Sequence, residues 1–125
     1  MKMAKNLFLD DVRNPSLVYQ DFENWNSVRN YDEFVNYLNA IAEKADADDM
    51  PPMVSFDYML NYGSNESKDG ADCAKYLVEF CIKYGLKLPK CYVHSSYPSA
   101  TKEIKKELCK YAEMTGEELS LNEKI

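Results

Sequence analysis

The sequence predicts a single-domain α/β protein with a mainly parallel sheet flanked by helices. Three observations carry that reading. Short apolar runs at Asn6–Leu9, "MVSFD" (53–57) and "KCYVHSS" (90–96) read as buried strands. Stretches with helical apolar spacing separate them, and strands alternating with helices argue for a parallel sheet. Each of these runs also ends in chemistry-bearing residues: Asp10 and Asp11, then Asp57, then His94 and Ser95. In a parallel sheet, ligands bind beyond the carboxyl ends of the strands. Right-handed crossovers leave few topologies, and all bring these groups toward one edge.

Taken in order, Asn6–Leu9 is cut off by its two aspartates, and a loop around Pro15 leads to "WNSVRN" (25–30), a weaker strand. Asn30 stands as a helix N-cap, with Glu33 spaced to complete a capping box. Phe34, Leu38, Ile41, Ala42 and Ala45 then recur at helical intervals, ending in the acidic "ADADDMPP" turn. After "MVSFD" comes the polar loop "NYGSNESKDG", read as an exposed connection in preference to a lid. A helix over about 70–84 follows, with Leu77, Val78, Cys81 and Ile82 inward and Gly85 at its C-terminal stop. "KCYVHSS" leads to a helix over about 99–114 that aligns Ile104, Leu108, Tyr111 and Ala112, and Gly116 closes it. The tail "EELSLNEKI" reads as a short edge strand or a loose end.

A chain of 125 residues fits one domain, with a core over about 5–116 and a tail over 117–125. The sequence shows no internal repeat or low-complexity block. Hydrophobic residues make up 46% and charged ones 29%, which is a globular balance. The formal net charge of −6 disfavours broad binding to a nucleic-acid backbone. It leaves room for a small phosphorylated ligand, because a bound divalent ion reverses the sign of a pocket. Cys73, Cys81, Cys91 and Cys109 form no C-x-x-C pair and share the chain with one histidine, which argues against structural zinc. All four sit in apolar patterns and read as small buried hydrophobes. Lys2 and Lys5 precede no apolar signal core, and no run reaches membrane-spanning length. The expectation is a cytoplasmic protein with no membrane partner.

Three carboxylates in one cleft raise each other's proton affinity unless a cation neutralises them. Magnesium suits Asp10, Asp11 and Asp57, because it is satisfied by few carboxylates and keeps waters that phosphate oxygens replace. His94 is the chain's one histidine, the residue type suited to general acid–base work near neutral pH. Ser95 could orient a phosphate oxygen and Arg13 could clamp one. Each piece has a plainer reading: a strand end, a loop cap, a structural histidine, an ion pair. The coincidence of three such strand ends favours a shared site suited to phosphoryl or phosphodiester chemistry. Tyr58, Tyr62 and Tyr97, just past strand ends, either stack on a base or pack in the core. Core packing accounts for Tyr37, Tyr76 and Tyr111.

At these positions the sequence resembles the response-regulator receiver, which would make Asp57 a phosphoacceptor and Asp10 and Asp11 magnesium ligands. Receivers carry a lysine after a fifth strand, and here Lys124 stands one residue from the end. The chain is more similar to the cyclic-phosphate-processing receiver-like domains. "LFLDDVRNP", "W…VRNYDEF", "VSFDYML", "DGADCAKYLVE" and "VHSSYP" follow that pattern in order, over about residues 7–112. The resemblance implies a receiver, flavodoxin-like topology with the fifth strand lacking or shortened. It implies magnesium at Asp10, Asp11 and Asp57, with catalytic roles for His94, Ser95 and Arg13. Arg13, Ser95, Ser96, Tyr58 and Tyr97 would contact the ligand. Where the family has an Asp-His-Asp-Leu-like motif, this chain has Tyr58 and Met59 after its aspartate.

The expected function is therefore a metal-dependent phosphoesterase-like domain acting on a small cyclic or terminal nucleotide phosphate. The alternative is non-catalytic binding or sequestration of a nucleotide-type signal, as by a phage anti-defence protein. The third reading is a phosphoaccepting receiver.

Overall fold

The computed structural model describes residues 4–44, 49–60, 68–95 and 97–123. Five strands form one parallel sheet: β1 (Asn6–Leu9), β2 (Trp25–Val28), β3 (Met53–Phe56), β4 (Lys90–Val93) and β5 (Leu121–Glu123). Three helices connect them: α1 (Tyr31–Lys44), α2 (Gly70–Tyr84) and α3 (Ala100–Thr115). The strand order is β2-β1-β3-β4-β5, the doubly wound order whose switch point lies between β1 and β3. The fifth strand is present and short, three residues paired with β4.

That order divides the sheet's two faces. The steps β2 to β3, β3 to β4 and β4 to β5 all run one way, so right-handed crossovers put their helices on one face. Leu7 and Leu9, Val54 and Phe56, and Cys91 and Val93 lie in register on that face. With Phe34, Leu38, Leu77, Cys81, Ile104 and Leu108 from the helices, they form the main core. The step from β1 to β2 runs the other way, and its connection crosses the opposite face. That connection holds two short 3₁₀ turns, Pro15–Leu17 and Phe22–Asn24, and no α-helix. It lays Tyr19 over Trp25, ring centroids 4.2 Å apart, and edge-on to Phe8 and Tyr92.

Local chemistry sets the helix boundaries. Asn30 Oδ1 accepts the Glu33 backbone N–H at 2.8 Å, as its spacing predicts. The return bond differs from a capping box, because Glu33 accepts the N–H of Arg29 at 3.0 Å. The reciprocal box occurs instead at α2, between Asp69 and Asp72. Gly85 ends α2 at φ 65°, the left-handed conformation that glycine adopts without a steric penalty. Ala45 and Tyr62 lie outside the described residues, as does most of the loop after Leu60. Of the four cysteines, Cys73, Cys81 and Cys91 are buried as expected, and Cys109 is half-buried.

Gly70 has a different role from Gly85. Its N–H donates to the Tyr58 carbonyl at 2.7 Å, and a Cβ there would lie inside van der Waals contact of the Asp57 carbonyl oxygen. The start of α2 is thus seated directly on the end of β3. Gly70→Ala should cost about 1–3 kcal/mol in urea unfolding, because the obstacle is backbone on a strand end. Gly85→Ala meets open space and should cost about 1–2 kcal/mol through its backbone angle alone, leaving the end of β3 in place.

Candidate functional site

The sheet ladder runs one residue past the strands and fixes the site's backbone. Asp10 N–H donates to Val28 at 3.1 Å, Asp57 N–H to Leu9 at 2.9 Å and His94 N–H to Phe56 at 3.0 Å. Asp10 and Asp57 therefore flank the switch point, with His94 and Ser95 one strand further along.

Asp10 is 1% exposed, and both its oxygens are engaged. Oδ1 accepts the backbone N–H of Val12 at 2.9 Å and of Arg13 at 2.8 Å. Oδ2 accepts Arg13 Nε–H at 2.8 Å and lies 3.1 Å from His94 Nε2. Burial alone would raise this carboxyl's proton affinity. The His94 contact, the two backbone donors and the Arg13 charge outweigh it and hold Asp10 well below the usual carboxylate range.

Asp57 is pushed the other way. Burial, then the neighbouring Asp10 charge, raises its proton affinity, and the Tyr58 N–H, His94 and the Ser95 side chain offset this only in part. The Tyr58 N–H donates to Asp57 Oδ1 at 2.8 Å. Arg13 links the three strand ends: besides Asp10, its Nη2 donates to the His94 carbonyl at 3.1 Å and stands 3.8 Å from Asp57 Oδ1. Its side chain keeps 35% exposure, so the cation also faces outward.

Candidate ligand atoms of Asp10, Asp11 and Asp57 all lie within 4.8 Å of one another. An all-carboxylate set suits a hard ion such as magnesium. Burial and the neighbouring Asp10 charge, which raise the proton affinity of Asp57, would both be offset by a cation held there. This buried acidic cluster could hold a metal ion, as in receiver domains.

The remaining predicted residues fall around it. Ser95 is buried, and its Oγ accepts the Tyr97 backbone N–H at 3.1 Å. Tyr58 and Tyr97 stack on each other, centroids 4.9 Å apart and 8° from parallel, beside the end of β3. Tyr97 and Met59 are exposed. Ser96 and Lys124 lie outside the described residues. His94 reaches the site from behind: it is 1% exposed, with Nδ1 2.7 Å from Ser55 Oγ and Nε2 at Asp10.

Three residues escaped the sequence reading. Arg29 braces the loop after β1, donating to the Arg13 carbonyl at 2.8 Å, the Asp10 carbonyl at 3.3 Å and Asn14 Oδ1 at 2.6 Å. Ser55 and Tyr19 continue the contacts of His94 inward. The one signal for Ser55 was a hydroxyl inside an apolar strand.

The family model of the Cyclic-phosphate processing Receiver domain matches residues 5–110. No curated protein matches the chain.

The opposite states of the two buried carboxyls have opposite effects on stability. Asp57, raised in the fold, contributes stability when protonated and loses it as pH rises through its folded value. Asp10, lowered in the fold, contributes above the ordinary carboxylate range and loses it as pH falls. Asp57→Asn should therefore raise the urea midpoint at pH 7 without metal, and the gain should shrink toward pH 4. Asp10→Asn should lose about 3 kcal/mol at pH 7, as expected when one partner of a buried pair is removed.

Proposed function

The chain belongs to the cyclic-phosphate processing receiver domain family, and from that premise we propose that it is a metal-dependent phosphoesterase-like domain acting on a small cyclic or terminal nucleotide phosphate. The observation that carries this reading is the convergence of Asp10, Asp11 and Asp57 within 4.8 Å of one another, with the part-exposed Arg13 guanidinium spanning Asp10 and Asp57. Carboxylates beside an outward-facing guanidinium suit a phosphate brought in with its counter-ion.

In this proposal Asp11 and Asp57 hold the ion, and Asp10, whose oxygens already accept hydrogen bonds, contributes mainly charge. A bound magnesium would neutralise the cluster and polarise a phosphate oxygen. Arg13 binds the phosphate, and Ser95 orients it from the end of β4. Ser96, next along the chain, is proposed to help. The stacked Tyr58–Tyr97 pair offers a flat aromatic surface beside the phosphate position, suited to a nucleobase. His94, enclosed and bonded at both ring nitrogens, serves the site through Asp10.

A second reading, binding without cleavage, is favoured by that enclosure of His94. It is also favoured by Tyr58 and Met59 standing where the family has further acidic and imidazole groups. The two readings part on the fate of the ligand. A 2′,3′-cyclic nucleotide incubated with protein and magnesium, then examined by chromatography, should be opened to a monophosphate, and chelation of the metal should stop the reaction. Loss of an outer-shell partner costs roughly 10–100-fold, so Asp11→Asn should lower the rate by at least that much. Thermal stabilisation by the nucleotide with complete recovery of intact ligand would replace the enzyme with the binding protein. Absence of turnover together with absence of any thermal shift from the nucleotide or from magnesium would remove both readings.

A further inference from the structure

A chain of hydrogen bonds runs from the helix-free face of the sheet to the acidic site. Tyr19 Oη lies 2.8 Å from Ser55 Oγ, Ser55 Oγ lies 2.7 Å from His94 Nδ1, and His94 Nε2 lies 3.1 Å from Asp10 Oδ2. The His94 ring lies flat on Phe8, centroids 4.3 Å apart and 7° from parallel. We propose that Ser55 and Tyr19 are positioning residues for the acidic site, holding the His94 ring so that its Nε2–H donates to Asp10.

The direction of the bond to Asp10 follows from the other partners of that carboxylate. Asp10 is an ionised acceptor, tied to two backbone N–H groups and to Arg13. A bare Nε2 facing it would set lone pair against lone pair, so Nε2 carries hydrogen. Ser55 has one hydrogen and two polar neighbours, so it donates to one and accepts from the other. Burial pushes the Tyr19 phenol up to about 12, so Tyr19 keeps its hydrogen and can donate to Ser55. Ser55 thereby anchors Nδ1, and the contacts run without a break from Tyr19 through Ser55 and His94 to Asp10.

The packing keeps that arrangement in place. Ser55 is fully buried, in register between Phe8 on β1 and Tyr92 on β4. A hydroxyl there is costly unless bonded. Phe8 covers the imidazole face and the two ring nitrogens are bonded at opposite ends, so a half-turn of the ring would present carbon to Asp10. Tyr19 is held in turn by its stack on Trp25. The effect on ion binding rests on the function proposed above, whereas the hydrogen positions stand independently of it.

The chain has a single histidine, so nitrogen-15 NMR of its imidazole is unambiguous. Without metal, the wild-type protein should carry hydrogen on Nε2. Ser55→Ala should shift the ring spectrum and weaken magnesium binding, read by calorimetry, roughly tenfold. Ser55→Thr should restore both, and Tyr19→Phe should produce a smaller shift in the same direction. Hydrogen on Nδ1 with none on Nε2 in the wild-type protein would overturn the proposal. A Ser55→Ala protein that folds, judged by Trp25 emission, and keeps the wild-type ring spectrum would overturn it equally. Should Ser55→Ala fail to fold, the wild-type spectrum and Tyr19→Phe decide. The expected hydrogen on Nε2 in a protein that binds no magnesium would uphold the relay and overturn the metal reading.

Discussion

The rest of the site depends on the buried carboxylate of Asp10. An ionised carboxylate taken out of water is tolerated only when its oxygens are fully engaged, and here every partner ties a different part of the fold to it. The Val12 and Arg13 N–H groups bend the chain sharply as it leaves β1. The Arg13 side chain folds back onto the same carboxylate and continues to the His94 carbonyl. His94 itself brings in β4, two strands away from β1 in the sheet. One charge thereby sets the course of the β1–β2 connection and its spacing from β4. Arg29, reaching over from the end of β2, braces the bend by capping carbonyls that the sheet ladder leaves unpaired.

Asp57 occupies the middle of this frame and has the opposite character. It has fewer donors, and the Asp10 charge stands against it, so its proton affinity rises while that of Asp10 falls. Titratable neighbours driven apart in this way commonly take different roles in one site. Asp10 acts as the fixed foundation, and Asp57 is the less fully neutralised of the two. Arg13 is placed between the two, neutralising the first by direct contact and the second only at 3.8 Å.

Much of this was legible in the sequence. Apolar runs that stop at Asp10, Asp57 and His94 report the strand ends because a buried strand cannot continue through a charged or polar side chain without a partner. The α2 and α3 boundaries were readable from glycines and helical spacing, since those signals are local. What was not legible depends on which residues meet across the sheet. Ser55 looked like one polar residue in a strand, and its partner His94 is 39 positions away. Tyr19 sits in a stretch without periodicity, and only the direction of the β1-to-β2 crossover puts it over Phe8 and Trp25. His94 read as a group at the ligand edge. Its burial follows from strand alternation, which points it to the same face as Ser55 and Phe8.

The division of the sheet into two faces also bears on the family motif that this chain has altered. The Tyr58 backbone N–H serves Asp57 whatever side chain that residue carries, while the Tyr58 ring turns to Tyr97. Met59 projects outward. Both substitutions therefore fall on the side of the site that a ligand would meet. The buried side, from Tyr19 through Ser55 and His94 to Asp10, does not involve those positions and is intact. An ionised carboxylate and an enclosed imidazole bonded to each other in the interior support one another, since each is costly there without the other. The buried charge framework and the exposed contact surface thus lie on different sides of the site. On that side an aromatic ring and a thioether offer stacking and apolar contact, where an imidazole and a carboxylate would offer proton transfer and a metal ligand.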